Sequence, residues 1–281
     1  MANLEGYTMM LADYADRYCT LVGASDGYRE QMAVLCRRLP WHVHELDPKR
    51  ISAYLQAALR KLAPTTVANH RRMLGTLYRR AVKDKLARES SEKICRVKHF
   101  YPPVRAWTLD ELGRLACEAR KLPGGTVKYP CEYRVLMPAW VLVGYTTGLR
   151  RGDMLRIRWD ELRGNRLALV MSKTNRQHVC VLDDAAMEAL QKLPRYDRII
   201  FGTIVSRDQI KKVMRRLVMR AGLEGSGKYL RRSSATYAEL SGLSATMQLG
   251  HQTPGMAYRH YVDQVILSDL RKPVPSIPAA G

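Results

Sequence analysis

The chain has 281 residues, 46% of them hydrophobic, enough for one large core or two ordinary ones. Lys and Arg number 47 against 26 Asp and Glu, a formal net charge of +21, and a single-sign excess of that size points to a polyanionic partner, nucleic acid before an anionic membrane. No apolar run is as long as a membrane span, the Met1 end lacks a signal-peptide pattern, and six scattered cysteines without a CxxC pair argue against a zinc or disulfide framework.

Residues 1–87 read as an all-helical DNA-binding unit. A first helix is predicted over Thr8–Leu21, with Leu11, Tyr14, Ala15 and Tyr18 on one face, and a second over Tyr28–Leu39, with Met32, Leu35 and Cys36 facing in. Asp47-Pro48 is a helix start, an N-cap followed by proline in the first turn, and Ile51, Tyr54, Leu55, Ala58 and Leu62 mark the buried stripe behind it. Pro64-Thr65 opens a fourth helix, with His70 among its packing residues and Arg71, Arg72, Arg79 and Arg80 on its outer face. Few acids compensate these four arginines, so they are read as phosphate contacts. His42 and His44 have no Cys or carboxylate partners at ligand spacing, and no metal is expected.

Residues 88–105 read as a basic linker, broken by Ser90, Ser91, Pro102 and Pro103. Residues 106–262 form a second unit of mixed α and β structure. It starts at Thr108, where Thr108 and Glu111 make a capping box. Tyr133–Tyr145 is nearly all apolar and should be a buried helix, bent or restarted at Pro138. Leu167–Val170 and His178–Leu182 flank a polar tip, Ser172 to Arg176, as a hairpin. Asp183-Asp184 caps a helix, and Ile199-Ile200-Phe201 reads as a further strand. Ser206 and Gln209 form a second capping box, and the helix behind it turns Lys211, Lys212, Arg215 and Arg216 outward as DNA contacts. A helix holding Arg231, a short helix before His251 and a segment bearing Tyr258 and Tyr261 complete the unit. Residues 263–281 are a proline-rich tail, expected to be mobile or bound to a partner. The fold class is mainly α with a small β-sheet.

The last third carries a kit suited to attack on a phosphodiester. Cleaving DNA without metal requires the phosphate charge to be neutralised, a nucleophile to attack and the leaving 5′ oxygen to be protonated. Arginine meets the first need, because its planar fork donates bidentately to non-bridging oxygens and stays charged. Arg150 and Arg231 are the candidate clamps. A tyrosine meets the second, because phenoxide leaves well and makes the covalent step reversible. Lys173, on the hairpin tip, is the candidate general acid. Lys228 lies one helical turn before Arg231 on the same face.

These residues resemble the tyrosine recombinase (phage integrase) family. Thr147-Gly148-Leu149-Arg150, with Asp153 three residues on, resembles its first arginine box, and Asp153 stands where an acidic residue supports the arginine. Lys173, 23 residues after Arg150, matches its hairpin lysine. Lys228-Tyr229-Leu230-Arg231 resembles the His-x-x-Arg box, and Leu249-Gly250-His251, 20 residues after Arg231, the Leu-Gly-His box. Lys228 departs from the usual histidine, and its ordinary pKa near 10.4 makes it a poor base at neutral pH. The usual nucleophile falls nine residues after the last box's histidine, which here is His260; Tyr261, one further on, is preferred because a His-Tyr pair at this point resembles a known spacing variant. Tyr258 is read as packing.

The resemblance implies a helical core-binding domain and an α+β catalytic domain that clamp double-stranded DNA at core sites. It further implies a 3′-phosphotyrosyl intermediate formed without cofactor, and strand exchange through a Holliday junction by a homotetramer that is monomeric in free solution. The tail is then exchanged between subunits. An accessory DNA-bending protein or directionality factor is a further partner, the location is cytoplasmic and nucleoid-associated, and no arm-binding domain is expected ahead of the core-binding unit. The favoured function is the integrase of a phage or other mobile element. A chromosome-dimer resolvase, a monomeric topoisomerase of the same chemistry and a DNA-binding architectural protein descended from a recombinase are the alternatives.

Overall fold

The computed structural model describes residues 8–125, 130–250 and 253–268. The chain divides into two compact units, Met1–Pro102 and Pro103–Gly281.

The first unit is helical. Helices α1 (Leu11–Leu21), α2 (Asp26–Arg37), α3 (Pro48–Leu59) and α4 (Pro64–Lys83) surround one core that includes Leu11, Tyr14, Met32, Leu35, Ile51, Leu55, Leu74 and Leu77. Asp47 caps α3 as its sequence suggests, accepting from the backbone N–H groups of Lys49 and Arg50 at 2.7 and 3.0 Å. His70 sits among packing residues, with Nδ1 2.9 Å from the Tyr54 hydroxyl.

Two stretches of this unit carry structural roles beside those expected of them. The stretch read as a linker is in part core: Ile94, Cys95 and Val97 pack against the helices, and the Cys95 N–H donates to Ser52 Oγ at 2.9 Å. Short apolar residues scattered through a Ser- and Lys-rich run give no periodic signal, so this packing is invisible locally. The four arginines of α4 also divide. Arg71 Nε donates to the Cys95 carbonyl at 2.7 Å, and Arg80 Nε lies 3.0 Å from the Asp84 carboxylate, which also accepts from the Tyr14 hydroxyl. Arg72 and Arg79 are exposed. Arg71 and Arg80 therefore help to hold the unit together, each donating to a part-buried acceptor of its own unit.

The second unit wraps a larger core around helix α6. Helices α5 (Leu109–Ala119) and α6 (Tyr133–Thr147) precede a one-turn helix, α7 (Arg151–Met154). Pro138 lies inside α6, which continues past it to Thr147. Strands β1 (Leu162–Arg163), β2 (Arg166–Met171) and β3 (Arg176–Val181) form one antiparallel sheet in that order, with Leu169 opposite His178 and Met171 opposite Arg176. Leu167, Leu169 and Met171 turn to the core while Val170 points away, the alternation of a half-buried strand. Helices α8 (Asp184–Gln191), α9 (Phe201–Ile204), α10 (Arg207–Arg220), α11 (Lys228–Leu240), α12 (Ala245–Gln248), α13 (Pro254–His260) and α14 (Gln264–Ser268) follow.

The capping boxes at Thr108 and Ser206 are both present. The strand expected over Ile199–Phe201 is not: Ile199 makes a single bridge to Arg158, and Phe201 opens a short helix. A three-residue apolar run carries no period, and here both Ile200 and Phe201 enter the core.

Residues 263–268 pack on their own chain. Asp263, 4% exposed, accepts from the Ala106 N–H at 2.8 Å and caps α14 through the Val265 N–H at 2.9 Å, while its own N–H donates to Thr236 Oγ1 at 2.9 Å. Leu267 joins Ala235, Ala245, Leu249, Ala257 and Val262 in a small core under α11. Residues 269–281, the rest of the tail expected to be exchanged, lie outside the described residues.

Candidate active site

The site begins where α6 stops. Gly148 terminates the helix in the left-handed conformation, φ +60°, and a Cβ built there would come within 2.8 Å of Ser234 Oγ and 2.9 Å of Leu249 Cδ2. Only glycine meets both demands. The tight stop lets α11 and the 249–250 segment approach, and two residues on it delivers Arg150.

Asp153 links this corner to the hairpin. Its side chain is 1% exposed, with Oδ2 3.9 Å from Arg150 Nη1. Oδ1 accepts from both the N–H and the hydroxyl of Ser172, at 2.9 and 2.6 Å. One carboxylate therefore faces the arginine and fixes the residue before Lys173. Lys173 itself is exposed at the turn, and the next turn residue but one, Asn175, takes φ 51°.

Arg231 enters from α11 and is 5% exposed. Nη1 donates to the Gly148 carbonyl, and Nη2 to the Leu249 carbonyl at 3.1 Å. Burial, followed by the charge of Arg150, pulls its guanidinium down to about 10, which leaves it protonated at neutral pH. Tyr261, at the end of α13, places its ring against this guanidinium, 4.8 Å from Cζ to the ring centre. Burial acts to raise the Tyr261 phenol. The Arg231 charge and hydrogen bond, with the charges of Arg150 and Lys173, outweigh burial, so the phenol lies below its ordinary value. Arg150 and Asp153, from one corner of the chain, thus converge with Lys173, Arg231 and Tyr261 from three other segments far apart in sequence.

The remaining candidates are distributed as follows. Lys228, the first residue of α11, is exposed, one turn before Arg231. His251 lies outside the described residues. Tyr258 does not face Arg231; its hydroxyl donates to Glu239 Oε2 at 2.7 Å, and Glu239 Oε1 accepts from the Ala245 N–H at 2.5 Å. A single carboxylate on α11 thereby holds both α12 and α13. Lys211, Lys212, Arg215 and Arg216 are all exposed on the outer face of α10.

Sequence reasoning passed over His178. It stands on the inward face of β3 opposite Leu169, two residues from buried Cys180. That alternation is the available signal, since a histidine among inward-facing apolar residues needs a reason to be there. Among the described residues there is no cluster of three or more His, Cys, Asp or Glu able to hold a metal, and no helix long and apolar enough to cross a membrane.

Comparison with known proteins adds three findings. Residues 118–265 match the model of the phage integrase family, a segment that contains every one of the converging side chains. No curated protein matches the sequence. Among solved structures, a lambda integrase dimer bound to a COC′ core site is similar with a TM-score of 0.69 at 19% identity, over 90% of this chain and 77% of that one. An integrase of the Tn1549 transposon, in complex with a circular intermediate DNA, is similar with a TM-score of 0.71 at 12% identity, over 93% of this chain and 99% of that one. A lambda integrase tetramer bound to a Holliday junction gives 0.68 at 19% identity, over 87% of this chain and 77% of that one. At these identities the likeness is one of fold, and it extends across nearly the whole chain.

Proposed function

The chain belongs to the phage integrase family of tyrosine site-specific recombinases, and we propose that it is the integrase of a phage or other mobile element. In this reading it cuts and rejoins double-stranded DNA through a 3′-phosphotyrosyl intermediate. The observation that carries the reading is the Tyr261 ring against the buried Arg231, with Arg150 and Asp153 beside them.

Each residue has a definite task in the step. Arg150 and Arg231 donate to the non-bridging oxygens and act most strongly on the charge that develops in the transition state. Tyr261 Oη, its phenol lowered by these same cations, gives up its proton to solvent and attacks phosphorus. The bond to the 5′ oxygen breaks, and Lys173 supplies the proton that oxygen needs. Attack by the 5′ hydroxyl of another strand on the phosphotyrosine reverses the sequence and returns the phenol. Asp153 acts through its neighbours, orienting Arg150 and the Ser172 end of the hairpin. A tetramer would exchange strands through a Holliday junction, as the lambda integrase tetramer of like fold bound to such a junction suggests.

Covalent trapping tests this. Nicked suicide duplexes drawn from the ends of the element that carries the gene are incubated with the chain in EDTA. A protein–DNA adduct that survives denaturant is the expected result. Tight binding to those duplexes without any adduct would replace the proposal with a DNA-binding relative that has lost catalysis.

The exposed and committed arginines of α4 should separate in the same assays. Arg79→Ala is expected to weaken DNA binding and to reduce the slope of log affinity against log salt by about one. Arg71→Ala removes the donor to the Cys95 carbonyl, so it should lower the melting temperature while leaving the salt slope nearly unchanged. A steeper or equal slope in Arg79→Ala would remove that residue from the phosphate contacts.

A further inference from the structure

The usual histidine of the second box is absent, and Lys228 in its place is exposed. The structure nevertheless brings an imidazole to the arginine pair by another route. His178 projects from β3 into the corner where Arg150, Asp153 and Arg231 meet, close enough for all three charges to act on it. Its two nitrogens have different surroundings. The backbone segment 248–250 closes over the Nδ1 edge: a Cβ built on Gly250, whose φ is +61°, would lie 3.1 Å from Nδ1, and the Gln248 backbone acts to favour the protonated ring. Nε2 is buried and has no hydrogen-bond partner among the described residues, and the same holds for Asp153 Oδ2 and Thr174 Oγ1.

A buried nitrogen left without a partner costs stability and is retained where a ligand completes it. With the proton on Nδ1, the nitrogen beside the 248–250 backbone, neutral Nε2 is a lone pair. It must gain a proton before it can donate to an anion. We propose, building on the recombinase reading, that His178 is a further ligand of the scissile phosphate, taking up a proton from solvent as the phosphate docks and then donating from Nε2 to a non-bridging oxygen.

The charges around the ring give this its direction. Arg231 from α11 and Arg150 from the α6–α7 corner face the imidazole, Asp153 from α7 opposes them, and its cross-strand neighbour Leu169 is apolar. Burial and the two guanidinium groups hold the ring below its ordinary pKa. A phosphate charge between the guanidinium groups cancels their repulsion and favours the imidazolium. Phosphate affinity therefore strengthens as pH falls through the bound-state pKa. The chain would in this way regain the cationic imidazole that the second box lacks.

The decisive measurement needs no DNA target. The full chain, labelled with ¹⁵N in its histidines, is titrated with pH in inorganic phosphate and in chloride of equal ionic strength, and His178 is assigned by comparison with His178→Gln. In phosphate the His178 midpoint should rise by about one pH unit or more, with Nε2 moving to the imidazolium position. An unmoved midpoint overturns the proposal, as does an equal rise in chloride.

Adduct formation on the suicide duplex supplies a second arm. His178→Ala should slow it by about 10²-fold, and His178→Gln, which keeps a neutral donor, should recover part of that loss. Equal rates for wild type and His178→Ala also overturn the proposal. If the wild type forms no adduct while His178 responds to phosphate, the recombinase reading fails and the anion site stands. If adduct forms and His178 is silent, only the inference about His178 fails.

Discussion

A Tyr261→Phe chain is expected to bind the suicide duplex as the wild type does and to form no covalent adduct. The substitution removes a single oxygen. The ring stays on Arg231, and the packing with the cluster of Ala235, Ala245, Leu249, Ala257 and Val262 is kept, so neither fold nor DNA grip should change. What disappears is the only atom able to form the phosphotyrosine. The loss in adduct formation should be at least about 10⁴-fold, the scale on which removing a nucleophile acts. Tyr258→Phe is the matching control. It breaks the bond to Glu239, loosening α13 without touching Arg231, and should slow adduct formation by no more than about tenfold, the cost of one hydrogen bond. Loss of adduct in Tyr258→Phe with retention in Tyr261→Phe would exchange the two assignments and show that the extra residue between His251 and Tyr261 had been placed wrongly.

The site was legible in the sequence where its chemistry needs a local pattern. Thr147-Gly148-Leu149-Arg150 is such a case: the glycine that stops α6 and the arginine two residues on are one device, and both are written in four letters. The hairpin with Lys173 at its tip and the capping boxes at Thr108 and Ser206 are equally local. What could not be read depends on partners distant in sequence. Arg71 resembles Arg72 and Arg79 until the Cys95 carbonyl, 24 residues on, is seen to occupy it. The apolar run at Ile199 reads as a strand until its pairing among the described residues proves to be one isolated bridge to Arg158. Asp263 is an unremarkable acid until Ala106, 157 residues earlier, is seen to donate to it. His178 lies between these cases: the alternation of β3 turns it inward, but only the approach of α11 shows that it meets arginines and not an apolar core.

The two arginines should fail differently when removed, because Arg231 is 5% exposed and holds two backbone carbonyls, while the Arg150 side chain is 23% exposed. Arg231 holds the carbonyls of Gly148 and Leu249 together, so it carries the join between the end of α6 and the 249–250 segment. Arg231→Ala leaves both carbonyls buried without that donor and is expected to cost about 2–4 kcal/mol of stability, read as a shift in the urea midpoint. Arg150 is less buried, 23% exposed at its side chain, and faces the Asp153 carboxylate at 3.9 Å. Arg150→Ala should therefore cost less stability than Arg231→Ala, its main penalty being the Asp153 carboxylate left without that facing charge. Both variants should lower the rate of adduct formation by about 10²–10³-fold, the usual effect of removing a donor to transition-state charge. A pH profile of the residual activity separates chemistry from damage to the fold. Arg231 is the largest influence lowering the Tyr261 phenol, so without it the phenol moves back up. Phenolate forms as pH rises, and the residual rate should then need a higher pH than the wild type to reach its plateau. Arg231→Lys, which restores a charge but not the fork, should return the profile part of the way and recover less of the stability. A profile that Arg231→Ala leaves unmoved, in protein shown by its melting curve to be folded, would mean that the guanidinium acts on the phosphate alone and not on the nucleophile.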